Sequence, residues 1–405
     1  MLNKLVFVIN CGSSSLKFSV INPLKKEILF FGLAEHFHNK NSYIKWNINN
    51  NKQKIKFNSK TNHKIVLNYL VEKILKKNLF LYKNIIAVGH RIVHGGEKFT
   101  NSVIINKKVI KAIEEASVFA PLHNPIQLIG IKEIIKILPK LKNKQVAVFD
   151  TAFHQTIPET SYLYALPIKF YKKYKIRRYG AHGTSHKYVS TIAAKMLNIP
   201  FNIFNCISCH LGNGSSVTVI NKGKSFDTSM GLTPLEGLVM GTRCGNIDPA
   251  IIFYMNKQLN IKIDEIYKIL TEKSGMLGLT NITSDFRYIE DNYLKNVEIK
   301  KATKIFVHYL AKYIASYSIL IKNKIHAIIF TGGIGENSIL IREKTIKKLK
   351  ILNFFLDKKL NNEIIHGKSG LISTIDSIPI LVIPTNEELM IAHDTFKIIN
   401  NQSNL

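Results

Sequence analysis

The sequence predicts an α/β fold built from two related domains, and three observations carry that prediction. Short apolar runs alternate with helical patterns, a strand–turn–strand design occurs twice about half a chain apart, and a glycine-rich loop follows a later apolar run. Strands are expected at 5–9, 16–21, 85–88, 146–149, 203–208, 216–220, 325–330 and 380–383. Helices are expected at 125–138, 185–197, 249–256, 299–321 and 387–399. Asn124 reads as the cap of the first helix, with Pro125 in its opening turn. The 299–321 segment carries Lys301, Lys304 and Lys312, which makes it a core helix and not a membrane span.

The repeat is the sharper signal. Val8-Ile-Asn-Cys-Gly-Ser-Ser-Ser-Leu-Lys-Phe-Ser-Val-Ile21 and Ile207-Ser-Cys-His-Leu-Gly-Asn-Gly-Ser-Ser-Val-Thr-Val-Ile220 each read as strand, tight turn, strand. Glycine lets backbone amides converge and small hydroxyls add donors, so such turns suit phosphate oxygens. The third loop, Thr331-Gly-Gly-Ile-Gly-Glu-Asn-Ser338, follows a buried strand and opens a helical pattern near Asn337, where a helix N-terminus favours negative charge. The Gly-Lys-Ser/Thr ending of a Walker loop is absent, and so is G-x-G-x-x-G.

Composition excludes several classes. With 46% apolar and 21% charged residues the chain is not globally disordered. No apolar run approaches a bilayer span, and the first ten residues hold too short an apolar stretch for a signal peptide, so a cytoplasmic chain is expected. Four cysteines fit a reducing compartment better than a disulfide framework. The formal charge of +30 invites a nucleic-acid reading. Against it, only six of the 57 basic residues are arginine, the side chain that phosphate and base recognition favours. Lysine in excess alongside isoleucine and asparagine is what AT-rich coding produces by drift. Residues 39–64, rich in Asn and Lys with no acid between Glu35 and Glu72, read as a solvated surface excursion, a nucleic-acid arm being the lesser alternative. Six basic residues fall within 169–178, where a positive field would gather anionic substrates.

Two phosphate hairpins with a strand–Gly-Gly–helix loop resemble the actin, sugar-kinase and heat-shock ATPase superfamily. Within it the chain resembles the acetate kinase family, through Asn10-Cys-Gly-Ser-Ser-Ser-Leu-Lys17 and His210-Leu-Gly-Asn-Gly-Ser-Ser216. Gly89-His-Arg-Ile-Val-His-Gly-Gly96, Phe149-Asp-Thr-Ala-Phe-His154 and Arg178-Tyr-Gly-Ala-His-Gly-Thr-Ser-His186 agree with it. So do Leu238-Val-Met-Gly-Thr-Arg-Cys-Gly245, Ser284-Asp-Phe-Arg287, the third loop and Pro384-Thr-Asn-Glu-Glu-Leu-Met390. The resemblance covers nearly the whole chain, leaving aside the termini and the Asn/Lys stretch.

It implies two ribonuclease-H-like (actin-like ATPase) domains with an interdomain active-site cleft. Residues 1–150 would form the first, completed by a C-terminal helix at 385–405, and 151–384 the nucleotide-binding second. The implied reaction is reversible in-line phosphoryl transfer from ATP to acetate, giving ADP and acetyl phosphate, with domain closure excluding water. Four of the six arginines lie in the matching blocks. Arg91 and Arg243 resemble the pair that holds carboxylate and phosphoryl group, and His182 the histidine that hydrogen-bonds the latter. His123 and His210 are weaker candidates. Asp150 matches an active-site acid, but acetate is already ionised at neutral pH, so orienting Arg91 or a magnesium-bound water suits it better than proton abstraction.

The family's metal ligands match Asn10 and Glu387, for Mg²⁺ with Mn²⁺ as a substitute. Glu387 also has a simpler reading, since Thr385-x-x-Glu388 spells a capping box and acid suits a first helical turn. Nucleotide contacts are implied for Lys17, His210, Leu211, Gly212, Asn213, Gly214, Asp285, Phe286, Arg287, Gly333, Ile334, Gly335, Glu336 and Asn337. Val93, Leu122 and Pro234 match the walls around the substrate methyl group. Two departures stand out: Ala181 replaces a Phe found in some relatives, and Asn246 replaces the acid usual in the turn after Arg243. Cys206-x-x-Cys209 resembles a redox motif or a zinc half-site in letters alone, because on a strand the two face opposite sides and no second pair exists. A homodimer is implied, with no nucleic acid and no membrane as partners. The alternatives are a propionate or butyrate kinase, which one methylene separates by only ~1–3 kcal/mol, and a basic nucleic-acid-binding protein without catalysis.

Overall fold

In the computed structural model, which describes residues 4–402, two compact units form: residues up to 152 joined by those from 386 onward, and residues 153–385. The first unit's strands are β1 (Leu5–Cys11), β2 (Ser15–Asn22), β3 (Glu27–Glu35), β4 (Tyr43–Ile48), β5 (Asn51–Lys56), β6 (Ile85–Ile92), β7 (Val103–Ile104) and β8 (Gln145–Phe149). They make one sheet in the order β5-β4-β3-β2-β1-β6-β8-β7. The second unit has β9 (Cys206–Leu211), β10 (Ser215–Asn221), β11 (Lys224–Thr228), β12 (Ala327–Thr331), β13 (Gly370–Leu371) and β14 (Ile380–Val382), ordered β11-β10-β9-β12-β14-β13.

The two sheets share a plan. In each, three antiparallel strands (β3-β2-β1 and β11-β10-β9) continue into two parallel ones (β6-β8 and β12-β14). A short antiparallel strand closes each far edge. The fourteen-residue repeat in the sequence is therefore the visible part of a repeated sheet.

Alternation sorts the strands' side chains. Odd-numbered residues of β1 (Leu5, Phe7, Ile9, Cys11) enter a core with Phe18, Phe30, Leu67 and Ile134, on the side of the helix Asn124–Ile137. Val8 pairs with Gly89 on the other face, and there the helix Glu387–Gln402 lies against β1, β6 and β8. In the second unit Cys209 belongs to the core around Phe306 and Leu310 of the helix Val297–Ser318, while Cys206 packs with Val189 and Phe204. Burial pushes both thiols up.

Several expected boundaries move, each for a local reason. Asn124 does not cap its helix: fully buried, it accepts from the His94 amide at 3.1 Å and donates to the His94 carbonyl at 2.9 Å. It braces the segment after β6. The strand expected at 203–208 starts at Cys206 because Phe201–Ile203 forms a 3₁₀ turn. The third loop itself coils into a short helix, Gly332–Asn337, and the longer helix expected near Asn337 follows as Ile339–Lys348, capped by Ser338. The capping box at Thr385 is not made; Asn386 caps instead, accepting from the Leu389 amide at 2.9 Å, and Thr385 shares a hydroxyl bond with Ser185. Residues 39–64 are largely solvated, as expected, but they are regular in structure. Most of them form the β4–β5 hairpin, whose two-residue turn Asn49-Asn50 has φ of 49° and 64°, the mirror-image turn that asparagine tolerates. Lys52, Lys54 and Lys56 then keep the edge strand β5 from pairing with another chain.

Arg342 is the largest fully buried side chain. It donates to the carbonyls of Gly335, Glu336, Asn361 and Ile364 and to Asn361 Oδ1, tying the third loop to the segment 358–364. Burial draws its pKa down to about 10. Arg342→Met should cost ~3 kcal/mol or more, because several buried acceptors lose their donor together; urea denaturation followed by circular dichroism would read it.

Candidate active site

In the first unit, three strands and one helix bring their functional side chains to one point. Arg91 near the end of β6 donates from Nη2 to Asp150 Oδ2 at 2.6 Å and from Nε to Oδ1 at 3.2 Å. Asp150 follows β8, the parallel neighbour of β6, and is 1% exposed. Arg91 Nη1 also donates to Asn10 Oδ1 of β1 at 3.3 Å, and Glu387 comes within 3.8 Å of Nε. Burial works against the guanidinium charge, but Asp150 and Glu387 together hold its pKa above the ordinary arginine range. Lys17 lies opposite Asn10 across the β1–β2 pair, with its side chain exposed. Val93 is buried just past β6, whereas Leu122 is 52% exposed in the turn before the Asn124–Ile137 helix. His123 is the residue preceding that helix.

Asn10 and Glu387 offer one amide oxygen and one carboxylate. Among the described residues, Glu387's carboxylate has only the 3.8 Å approach of Arg91. A sparse, oxygen-only set of this kind fits a magnesium ion that keeps most of its waters.

The second unit gathers His182, His210 and Arg243 around the β9–β10 turn. A Cβ on Gly214 would stand 3.3 Å from Arg243 Nη1, a tight approach, and 3.5 Å from the His182 ring, an ordinary contact, so both side chains meet at this turn. His182 takes a left-handed conformation (φ 57°) directly before the helix Gly183–Met196 and stacks on His210 at 4.2 Å between centroids. Its Nδ1 bonds Ser216 Oγ at 2.9 Å, and Ser216 in turn meets His186 Nε2 at 2.8 Å. His186 also bonds Ser208 through Nδ1, so both its ring nitrogens are taken by serine hydroxyls and His182 and His186 are not a metal pair; burial lowers the His186 pKa. No cluster of three or more His, Cys, Asp or Glu able to hold a metal exists among the described residues.

Arg243 differs from Arg91. Its Nη1 donates to the Pro234 carbonyl at 3.1 Å, no carboxylate among the described residues pairs with it, and burial lowers its pKa. Asn246 does not face it; the amide accepts from the Gly237 N–H and donates to Tyr313. Ala181 is buried against Met230 and Met240, which occupy the space beside it.

A hollow of about 790 Å³ holds much of the expected nucleotide set: Gly212, Asn213, Asp285, Phe286, Arg287, Gly333, Ile334 and Asn337. Asp285 caps the following helix by accepting from the Arg287 amide, and pairs with the exposed Arg287 guanidinium at 2.6 Å. Phe286 is anchored by edge contact with Phe306. His210, Leu211, Gly214, Gly335 and Glu336 do not line this hollow. Leu211 and Gly335 are buried beside it, and Glu336 accepts from the amides of Gly332 and Thr385, stitching the third loop together. Sequence reasoning missed His366, which lines the hollow and whose amide donates to Asn337 Oδ1. Nothing in its surroundings marks it, whereas Ser185 and Ser216 lay within quoted blocks without a role.

The basic cluster at 169–178 is thinner than its letters. Arg177 is buried with its guanidinium 3.5 Å over the Tyr162 ring, and Arg178 pairs with Glu236 at 2.8 Å while donating to the Thr228 carbonyl.

The sequence profile of the Acetokinase family matches residues 5–393. The acetate kinase of Wigglesworthia glossinidia brevipalpis is 56% identical over 395 residues, 98% of this chain and 99% of the relative. A crystal structure of a propionate kinase from Francisella tularensis aligns with TM-score 0.92 at 44% identity, covering 97% of this chain and 99% of that one. The acetate kinase of Porphyromonas gingivalis aligns with TM-score 0.90 at 39% identity, covering 98% and 100%.

The buried histidines set a pH limit on stability. Burial lowers His90 and His154 to about 4, against 6.5 for a free histidine. Below pH 6.5 the unfolded chain takes up protons that the folded chain refuses, so stability is full above that pH and is lost as pH falls towards 4. The slope should reach ~1.4 kcal/mol per pH unit for each histidine. Urea midpoints measured from pH 7.5 down to 4.5 would check this, and a flat profile would contradict it.

Proposed function

The chain belongs to the acetokinase family, and from that premise we propose that it is an acetate kinase, transferring the γ-phosphoryl group of ATP to acetate and back. The fold is of the actin-like ATPase type. The observation that carries the reading is the contrast between the two arginines. Arg91 is neutralised and locked by carboxylates, whereas Arg243 is a desolvated cation that no carboxylate among the described residues pairs with, beside His182 at a glycine turn. Such a cation awaits an anion from the substrate.

The chemistry asks little proton traffic. An acetate oxygen forms a bond to the γ-phosphorus as the bond to the ADP oxygen breaks, and ADP leaves with that electron pair. Asp150 accepts from Arg91 through both oxygens, which suits it to orienting the guanidinium and not to acting as a base. Arg243 and the His182 ring are assigned to the phosphoryl oxygens, where charge spreads in the transition state. Arg91 is assigned to the acetate carboxylate, with Val93, Leu122 and Pro234 as the walls for its methyl group. Lys17 and the loops at 210–214, 285–287 and 333–337 are assigned to the nucleotide. Asn10 and Glu387 would hold Mg²⁺, or Mn²⁺, which when bound offsets the phosphate charge.

A homodimer is supported by the helix Ala250–Lys257, which buries none of its residues and exposes Ile251, Phe253 and Tyr254. A cytoplasmic setting is supported by four free cysteines, three of them buried. No helix among the described residues is long and apolar enough to cross a membrane.

Arg243→Ala should lower kcat on the order of 10²–10³-fold, the scale of losing one preorganised donor to the transition state, with an unchanged circular-dichroism spectrum. Because Arg91→Ala would strand Asp150, Arg91→Lys is the cleaner partner variant, and near-full activity in either would overturn its role. Trapping the acyl phosphate with hydroxylamine, using acetate, propionate and butyrate, tests the substrate. A higher kcat/KM for propionate would overturn the assignment to acetate.

A further inference from the structure

We infer that the first unit carries a second binding site, for an amphiphilic organic anion, on its sheet beyond the helix Glu387–Gln402. A hollow of about 590 Å³ opens there over β2–β5. Strand register sets its chemistry in two rows: Lys17, Leu33 and Lys45 across one, and Phe31, Asn47 and Lys52 across the next. Leu33 lies between the two lysines of the first row, Phe31 begins the second at 49% exposed, and the adjoining Ile28 is 40% exposed. The lysines stand at the margins, and Glu388 is the one carboxylate lining the hollow.

An apolar floor of this size, left open to water, is what a ligand pocket of ~300–1,000 Å³ looks like. Three ammonium groups against one carboxylate select an anion. The apolar centre selects a ligand with a hydrocarbon or aromatic body, and lysine's compact charge suits either a carboxylate or a phosphate head. Of these residues only Lys17 figures in the proposed reaction. Occupancy of the hollow therefore competes for the lysine that the nucleotide phosphates need.

Trp46 is the chain's only tryptophan and borders the hollow, with its ring in the core on the other face of β4, so its emission reports binding through the sheet. Decanoate and decyl phosphate, titrated separately into the full-length protein, distinguish the two head groups. A saturable change is expected with at least one of them. Phe31→Glu, and Lys45→Glu combined with Lys52→Glu, should each weaken it by about tenfold or more, equivalent to ~1.4 kcal/mol, while leaving acetate turnover intact. Non-saturable binding, or equal binding by both variants, would overturn the site. So would binding of a short oligothymidylate in place of both small anions, which would make the face a polyanion surface. The ligand should also raise KM for ATP. That readout rests on the nucleotide role of Lys17, whereas the fluorescence titration does not, so a saturable signal without a KM effect would overturn the shared lysine alone.

Discussion

A carboxylate sealed from water keeps its charge only beside a fixed cation, and Asp150 makes Arg91 that cation. The rest of the first unit's site follows from this pair. Because β6 and β8 are parallel neighbours, the strand carrying the arginine and the strand leading to the acid are held one ladder spacing apart by backbone bonds. Both guanidinium edges that face Asp150 are occupied, so the side chain cannot swing. What remains directed outward is its other amino group, towards Asn10 on the next strand. Gly89, two residues upstream of Arg91, then matters for Glu387. A Cβ there would meet Thr395 at 2.5 Å and Ile391 at 2.7 Å, pushing away the helix that begins with that acid.

The second unit solves a different problem with the same sheet plan. Its turn presents backbone and small side chains, and its charged groups arrive from elsewhere in the chain. The rings of His182 and His210 are fixed by stacking on one another and by serine hydroxyls. The cation that joins them is left uncompensated. One unit thus stores a neutralised, oriented arginine, and the other a desolvated, unneutralised one.

The sequence made the central strands legible because they are buried on both faces and read as unbroken apolar runs. Both hairpin turns were legible because the same glycine and small-hydroxyl letters recur between apolar runs at the two places. The solvated character of the lysine-rich stretch was legible but its two strands were not, for a physical reason: β4 and β5 sit at a sheet edge, where one face is solvent, and coding drift towards Lys and Asn fills that face without disturbing Ile44, Trp46 and Ile55 on the other. The Asn49-Asn50 turn was the overlooked signal. Capping was misassigned at 124 and 385 because several adjacent polar residues can cap equally well on paper, and tertiary partners such as His94 and Ser185 decide which is free to do so. The residue blocks of the site were legible through family resemblance. The serines behind its histidines, and His366, were not, since a residue that acts by supporting another leaves no spacing rule.

The placement of Cys206 and Cys209 on opposite sides of β9 makes the strand chemically silent. Each thiol is immersed in a different core, so neither can reach the other, share an ion or meet a small oxidant without unpicking the sheet's centre. Oxidative episodes that would scar a surface thiol leave this strand untouched while the chain stays folded. The spacing that looks like a redox motif works as insulation.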